Sequence, residues 1–143
     1  MAEEPGELPG AVLFACTMNA VRSPMAAGIL RHLAGRRVYV ESAGARAGEP
    51  DPFVAEVMRE IGIDVSRHTP RTIRDLNDTS FDIVVTLSPE AHHQALVLTR
   101  TMAVDVEYWP TLDATVMTGQ GTREQTLAHY RSVRDQLFKR IKQ

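Results

Sequence analysis

The one cysteine of this 143-residue chain opens the stretch Cys16-Thr17-Met18-Asn19-Ala20-Val21-Arg22-Ser23. An apolar run, Ala11 to Ala15, precedes it, and an amphipathic run opening Ser23-Pro24-Met25 follows, so it reads as strand, loop, helix. Across such a loop a cysteine and an arginine with five residues between them can face one another. The backbone N–H groups from Thr17 to Ser23 can then converge on an anion at the helix N-terminus. Phosphate, arsenate and sulfate are the expected guests. The helix end and the guanidinium would both favour thiolate over thiol, the form of cysteine that acts as a nucleophile. Arg22 would hold two oxygens of the guest in its planar fork. Ser23 can donate a hydrogen bond to the sulfur. The plainer alternative is a small buried residue ending a strand, but that leaves the arginine and the Ser-Pro pair unexplained.

Strands and helices must bring these groups together. Strand one is expected over Ala11–Ala15 and helix one over Ser23–Ala34, with Pro24 at its first position, where the missing N–H has no helical partner anyway. The stripe Met25, Ile29, Leu30, Leu33 faces inward, and Gly35 is a stop. Strand two reads as Val38–Glu41, followed by Ser42-Ala43-Gly44 and the loop Ala45–Pro50. Asp51 caps helix two, which Pro52 begins and Gly62 ends. A short helix is expected over Thr72–Leu76. Strand three runs from Phe81 to Leu87, and its Ile83-Val84-Val85 centre suits a buried parallel strand. Helix three opens at Ser88-Pro89-Glu90 and reaches about Thr99. Strand four spans about Ala103–Tyr108, and an irregular loop runs from Trp109 to Gly121. Thr122 and Gln125 have capping-box spacing. The last helix carries Leu127, Tyr130, Val133, Leu137 and Ile141.

Regular alternation of strand and helix implies a parallel sheet with helices on both faces. Ligands of such sheets bind beyond the carboxyl ends of the strands, where the Cys16 loop lies. A single domain over 11–143 is expected, after a disordered acidic lead over 1–10 that lacks the basic start and apolar centre of a signal peptide. A net charge of -2 makes no electrostatic case for nucleic acid or an anionic membrane. No apolar run approaches a membrane span of about 20 residues. A lone reactive thiol suits a reducing compartment, so a cytoplasmic location is expected. His92 and His93 lack partners at metal-ligand spacing and read as structural; no metal or cofactor is expected.

The stretch from Cys16 to Ser23 resembles the phosphate-binding loop of the low-molecular-weight protein tyrosine phosphatases and of the thioredoxin-linked arsenate reductases built on the same fold. Cys, five residues, Arg, then Ser matches their signature, and Asn19 matches its asparagine. The resemblance extends over about residues 11–143. It implies a four-stranded parallel sheet in the flavodoxin-like order 2-1-3-4. It also implies that Asn19, Ser23, a serine after strand two (Ser42) and a histidine after helix two (His68) hold the loop rigid. Asn19 suits a left-handed backbone. The family's general acid is an Asp in the loop after strand four, which makes Asp113 the third catalytic candidate beside Cys16 and Arg22. Asp105 is its rival, although it falls inside the expected strand.

Departures from the family pattern bear on the substrate. Met18 stands where glycine is common. Ala114 replaces the proline that usually follows the acid. Ala45-Arg46-Ala47-Gly48-Glu49 lacks the aromatic residue that often walls a phosphotyrosine ring; Trp109 could replace it or pack in the core. Three functions follow. The leading one is hydrolysis of a phosphomonoester, on a phosphorylated protein or a small molecule, through a phosphocysteine. The second is arsenate reduction with an external thiol, since no further cysteine can relay a disulfide. The third is a non-catalytic oxyanion-binding module, for which retention of Cys16, Arg22 and an acid would be unnecessary.

Overall fold

A computed structural model of the chain describes residues 10–73, 81–98, 104–111 and 122–142. Its strands are β1 (Ala11–Cys16), β2 (Tyr39–Gly44), β3 (Ile83–Thr86) and β4 (Asp105–Tyr108). Its helices are α1 (Arg22–Ala34), α2 (Pro52–Arg59), α3 (Pro89–Leu98) and α4 (Arg123–Lys142). All strand pairs are parallel, in the order β2-β1-β3-β4. This is the expected sheet. Alternate residues of β1 serve opposite faces, as a pleated strand requires. Val12, Phe14 and Cys16 join the larger core with α1, α2 and α4. Leu13 joins Phe81, Val84 and Ala95 of α3 on the other face.

The helix ends follow their local signals. Asp51 accepts the Phe53 N–H at 2.9 Å, which caps α2. Its other oxygen accepts the Tyr130 hydroxyl at 2.7 Å, which ties α2 to α4. The Thr122 hydroxyl and the Gln125 amide exchange bonds with each other's backbone N–H, at 3.1 and 2.8 Å. That is the reciprocal capping box.

Several boundaries shift by one or a few residues from expectation, and three of the differences bear on the site. β2 starts one residue later and runs to Gly44, so Ser42-Ala43-Gly44 lies within the strand; Cys16 is level with Gly44 in the ladder. Thr72 makes an isolated parallel bridge to Gly44, and the expected short helix begins one residue later, as a 3-10 turn at Ile73; the rest of that element, beyond Ile73, lies outside the described residues. α1 begins at Arg22 behind Val21, which provides no side-chain cap.

Candidate active site

The loop between β1 and α1 is held by its carbonyls. Ala45 N–H donates to Cys16 O at 3.0 Å, Arg46 N–H to Thr17 O at 2.8 Å, and Gly48 N–H to Met18 O at 2.9 Å. The His68 ring donates from Nε2 to Asn19 O at 2.8 Å. In contrast, the N–H groups of Met18, Asn19, Ala20 and Val21 donate to no acceptor among the described residues. Carbonyls tied back and amides left over are the arrangement of an anion cup, and the uncapped start of α1 closes it.

Such close approach needs Gly44. A Cβ there would stand 2.4 Å from Arg46 O and 2.7 Å from Asn19 N. It also needs Asn19, which has a φ of 54°. Asn19 is fully buried. Its Nδ2 donates to Ser23 Oγ at 2.8 Å and to Ser42 Oγ at 3.0 Å. Its Oδ1 accepts the Arg71 N–H at 2.9 Å. The structure therefore brings together Asn19, Ser23, Ser42 and His68, the four residues named as supports, with Ser42 acting from inside β2 rather than from the loop beyond it.

Cys16 is buried, 2% exposed. Its Sγ lies 3.0 Å from Ser23 Oγ and 3.4 Å from the Ser23 N–H. Asn19 donates to the Ser23 hydroxyl, whose own proton has two acceptors in reach, Cys16 Sγ at 3.0 Å and Ala43 O at 3.4 Å; turned to the nearer one, it would join the Ser23 N–H as the second donor to a thiolate. Arg22 is also buried. Its Nη1 donates to Thr111 O at 3.0 Å, with a longer 3.5 Å contact to Leu87 O, and its Nη2 donates to Thr17 Oγ1 at 3.4 Å. The Thr17 hydroxyl in turn donates to Ser88 Oγ at 3.0 Å, and Ser88 Oγ accepts the Ala91 N–H in the first turn of α3. Arg22 is thus braced by the segments leaving β3 and β4.

Burial holds the His68 imidazole below its ordinary proton affinity, and the nearby Arg31 charge acts the same way; the bond to Asn19 O opposes both. Neutral His68 with its proton on Nε2 is sufficient for the bond it makes.

Sequence reasoning missed Arg71, Thr17's link to Ser88, and the amides after β2. Arg71 and those amides act through main-chain N–H groups, which residue type does not reveal. Asp113 lies outside the described residues. Asp105 does not share the site: it is level with Ile83, and Ile83 with Val12. That places it four residues short of Cys16 along the sheet, about 13 Å away at strand rise. Trp109 packs on the core, its ring edge-on to Phe14 at 6.2 Å and beneath the Arg140 guanidinium at 4.9 Å. His92 bonds Thr86 Oγ1 through Nδ1 at 2.9 Å and stacks on Tyr108, a structural role. The cup opens on a cleft of about 190 Å³ lined by Met18, Ala20, Val21, Gly48, Glu49 and Asp51. Among the described residues no group of three His, Cys, Asp or Glu could hold a metal ion, and no helix is long and apolar enough to cross a membrane.

Comparison with known proteins places this geometry. The family model described as low molecular weight phosphotyrosine protein phosphatase matches residues 11–143. An arsenate reductase of Halalkalibacterium halodurans is 37% identical over 132 residues, 92% of this chain and 91% of its own. The solved structure of an arsenate reductase in its phosphate-binding state superposes with a TM-score of 0.70 at 28% identity, covering 93% of this chain and 94% of that one. A tyrosine phosphatase of Erwinia amylovora shares the fold, with a TM-score of 0.73 at 16% identity, covering 96% of this chain and 91% of that one.

Proposed function

Because the chain belongs to the low molecular weight phosphotyrosine protein phosphatase family, we propose that it hydrolyses phosphomonoesters through a phosphocysteine. The observation that carries this reading is the Cys16 sulfur, 3.0 Å from the Ser23 hydroxyl, at the base of a loop whose Met18–Val21 amides have no acceptor among the described residues. Cys16 Sγ attacks phosphorus, and the ester P–O bond breaks as the S–P bond forms. Asp113 gives its proton to the departing oxygen. The loop amides and Arg22 hold the phosphoryl oxygens, whose charge is best stabilised by donors already in place. In the second step Asp113 takes a proton from water, which attacks phosphorus and returns Cys16 as thiolate and phosphate as product. Ser23 steadies the sulfur as it leaves.

The relationship to arsenate reductases favours a second reading on the same residues. Cys16 would attack arsenate and lose water to form an S–As bond. An external thiolate would then attack Cys16 sulfur, and arsenic would leave with the bonding electrons as arsenite. A second external thiol would reduce the mixed disulfide, so that two thiols supply the two electrons. Cys16 is the chain's one cysteine, so both thiols must come from outside it.

One experiment tests both readings: hydrolysis of an aryl phosphate by wild type and Cys16→Ser, with arsenate-dependent oxidation of added thiol measured in parallel. The expected result is ester hydrolysis that Cys16→Ser abolishes while phosphate still binds. Hydrolysis within about tenfold of wild type in Cys16→Ser overturns the covalent mechanism. Thiol oxidation without ester hydrolysis assigns the chain to arsenate reduction. Binding without either assigns it to the non-catalytic class.

A further inference from the structure

A second cleft lies on the other side of the anion loop, between α1 and the connector after α2. It measures about 450 Å³, and its polar lining is Arg31, His32, Asp64, Arg67 and His68. That volume falls within the range of about 300–1,000 Å³ typical of small-molecule sites. Its shape depends on Gly28. A Cβ there would stand 2.9 Å from Val65 Cγ1 and 3.3 Å from Ile63 Cγ2, so a larger residue would push the connector's side chains outward.

The lining is electropositive on a chain of net charge -2. Two guanidiniums and two imidazoles face one carboxylate, Asp64, whose Oδ1 is taken by Ser66 N–H at 2.9 Å and Ser66 Oγ at 2.6 Å. Arg31 donates to Val40 O from Nε and Nη2, and stands 3.6 Å from Glu41. Arg67 and His32 have no hydrogen-bond or ion-pair partner among the described residues. Ile63, Val65 and Pro24 supply an apolar part of the lining beside these side chains. Arginine forks recognise carboxylate and phosphate oxygens alike.

The geometry points to a regulatory site for a small organic polyanion, one carrying carboxylate or phosphate groups on a short hydrocarbon frame. His68 is the link to the anion cup, since it lines this cleft and donates to Asn19 O. An anion beside the ring favours its doubly protonated form and so a stronger, charge-assisted bond to Asn19 O. That bond holds the left-handed residue on which the cup depends. Coupling of this kind is reciprocal: polyanion in the cleft tightens oxyanion in the cup, and the reverse. The coupling, though not the cleft, rests on the reading of the loop as an oxyanion cup.

Amide NMR separates the two sites. Citrate and glycerol 3-phosphate are titrated separately into wild type and Arg67→Glu, following signals of residues 62–68 for the cleft and 17–23 for the cup. At least one probe is expected to give saturable shifts at 62–68, weakened about tenfold or more in Arg67→Glu. Which probe binds more tightly distinguishes a carboxylate from a phosphate ligand. Inorganic phosphate is then titrated against the cup signals with the cleft filled by citrate, which is not tetrahedral and does not match the cup. Its affinity should rise about fivefold in wild type and not in Arg67→Glu. Absence of saturable shifts at 62–68 with either probe up to about 10 mM, or shifts unchanged in Arg67→Glu, overturns the site. Cleft binding that leaves phosphate affinity unchanged overturns the coupling. If phosphate fails to shift the cup signals at all, the proposed function fails instead, and the cleft titration still stands or falls alone.

Discussion

Asn19 commits every polar atom of its side chain to the loop it belongs to, bonding Ser23, Ser42 and the Arg71 N–H. It does so at a φ of 54°, a conformation that costs an ordinary L residue roughly 1–2 kcal/mol. Two substitutions separate the contributions. Asn19→Ala loses the bonds and keeps the backbone cost; Asn19→Gly loses the bonds alone. Both are expected to lower turnover of an aryl phosphate about 100-fold by loosening the cup, while urea denaturation should find the alanine variant the less stable by about 1 kcal/mol. Equal stability would mean that the backbone relaxes. Gly44 makes the complementary case. The contact its Cβ would make is with backbone atoms, which cannot swing aside. Gly44→Ala should therefore cost about 1–3 kcal/mol of stability and weaken phosphate binding, read by calorimetry. Arg22→Lys should also fail to turn over, because an ammonium cannot replace the two-armed contacts of a guanidinium. Retained rate and affinity in that variant would leave Arg22 a purely structural role.

At the scale of elements, the order of strands and helices was legible because apolar runs and caps alternate regularly, and Asp51, Thr122 and Gln125 bond as their spacing predicts. The end of β2 was not. Ser42, Ala43 and Gly44 carry no apolar signal, and they are strand because β1 extends alongside as far as Cys16. Val21 gives no cap signal for α1 either, since the start of that helix is set by the loop. Arg71 was invisible because its bond to Asn19 uses a main-chain N–H. The apolar stripe of α4 was legible, but neither its packing on α2 nor the ionic clamp between them. Glu60 takes Arg131 in a two-oxygen contact, Nε to Oε1 at 3.0 Å and Nη2 to Oε2 at 2.8 Å, and Arg134 at 2.8 Å, and Arg134 also donates to Val57 O at 2.8 Å. The Arg131 hydrogen bond is the main reason that the Glu60 carboxyl is pulled down to about 2. A depressed carboxyl contributes stability above its ordinary value of 4.5, lost as pH falls from there towards 2. Solvent screens the pair, so Glu60→Gln should cost only about 1 kcal/mol near neutrality. The difference from wild type in urea midpoint should vanish in acid. A difference that persists at the lowest pH would assign the effect to packing.

For the whole molecule, proton and redox conditions act on single groups. His68 binds its proton less readily in the fold than in the unfolded chain. The unfolded state then holds more protons, so stability is full above the ordinary imidazole value of 6.5 and declines as pH falls below it. Thermal melts from pH 8 to 5 should show wild type losing more stability than His68→Gln; parallel losses would show that other groups are responsible. Cys16 has no second cysteine to trap it once oxidised, so peroxide should inactivate the enzyme with a loss that added thiol reverses early and not late. Full late recovery would contradict this. The uncapped start of α1 has a wider consequence. A helix end whose N-cap residue, Val21, provides no side-chain bond, beside loop amides that have no acceptor among the described residues, is an unfinished piece of architecture, and the guest completes it. Buffer composition then becomes a folding variable. Moving from chloride to phosphate at about 100 times its dissociation constant should add about 2.7 kcal/mol and raise the melting temperature. Preparations carried through phosphate would differ from those in chloride in shelf life and protease resistance before any substrate is added.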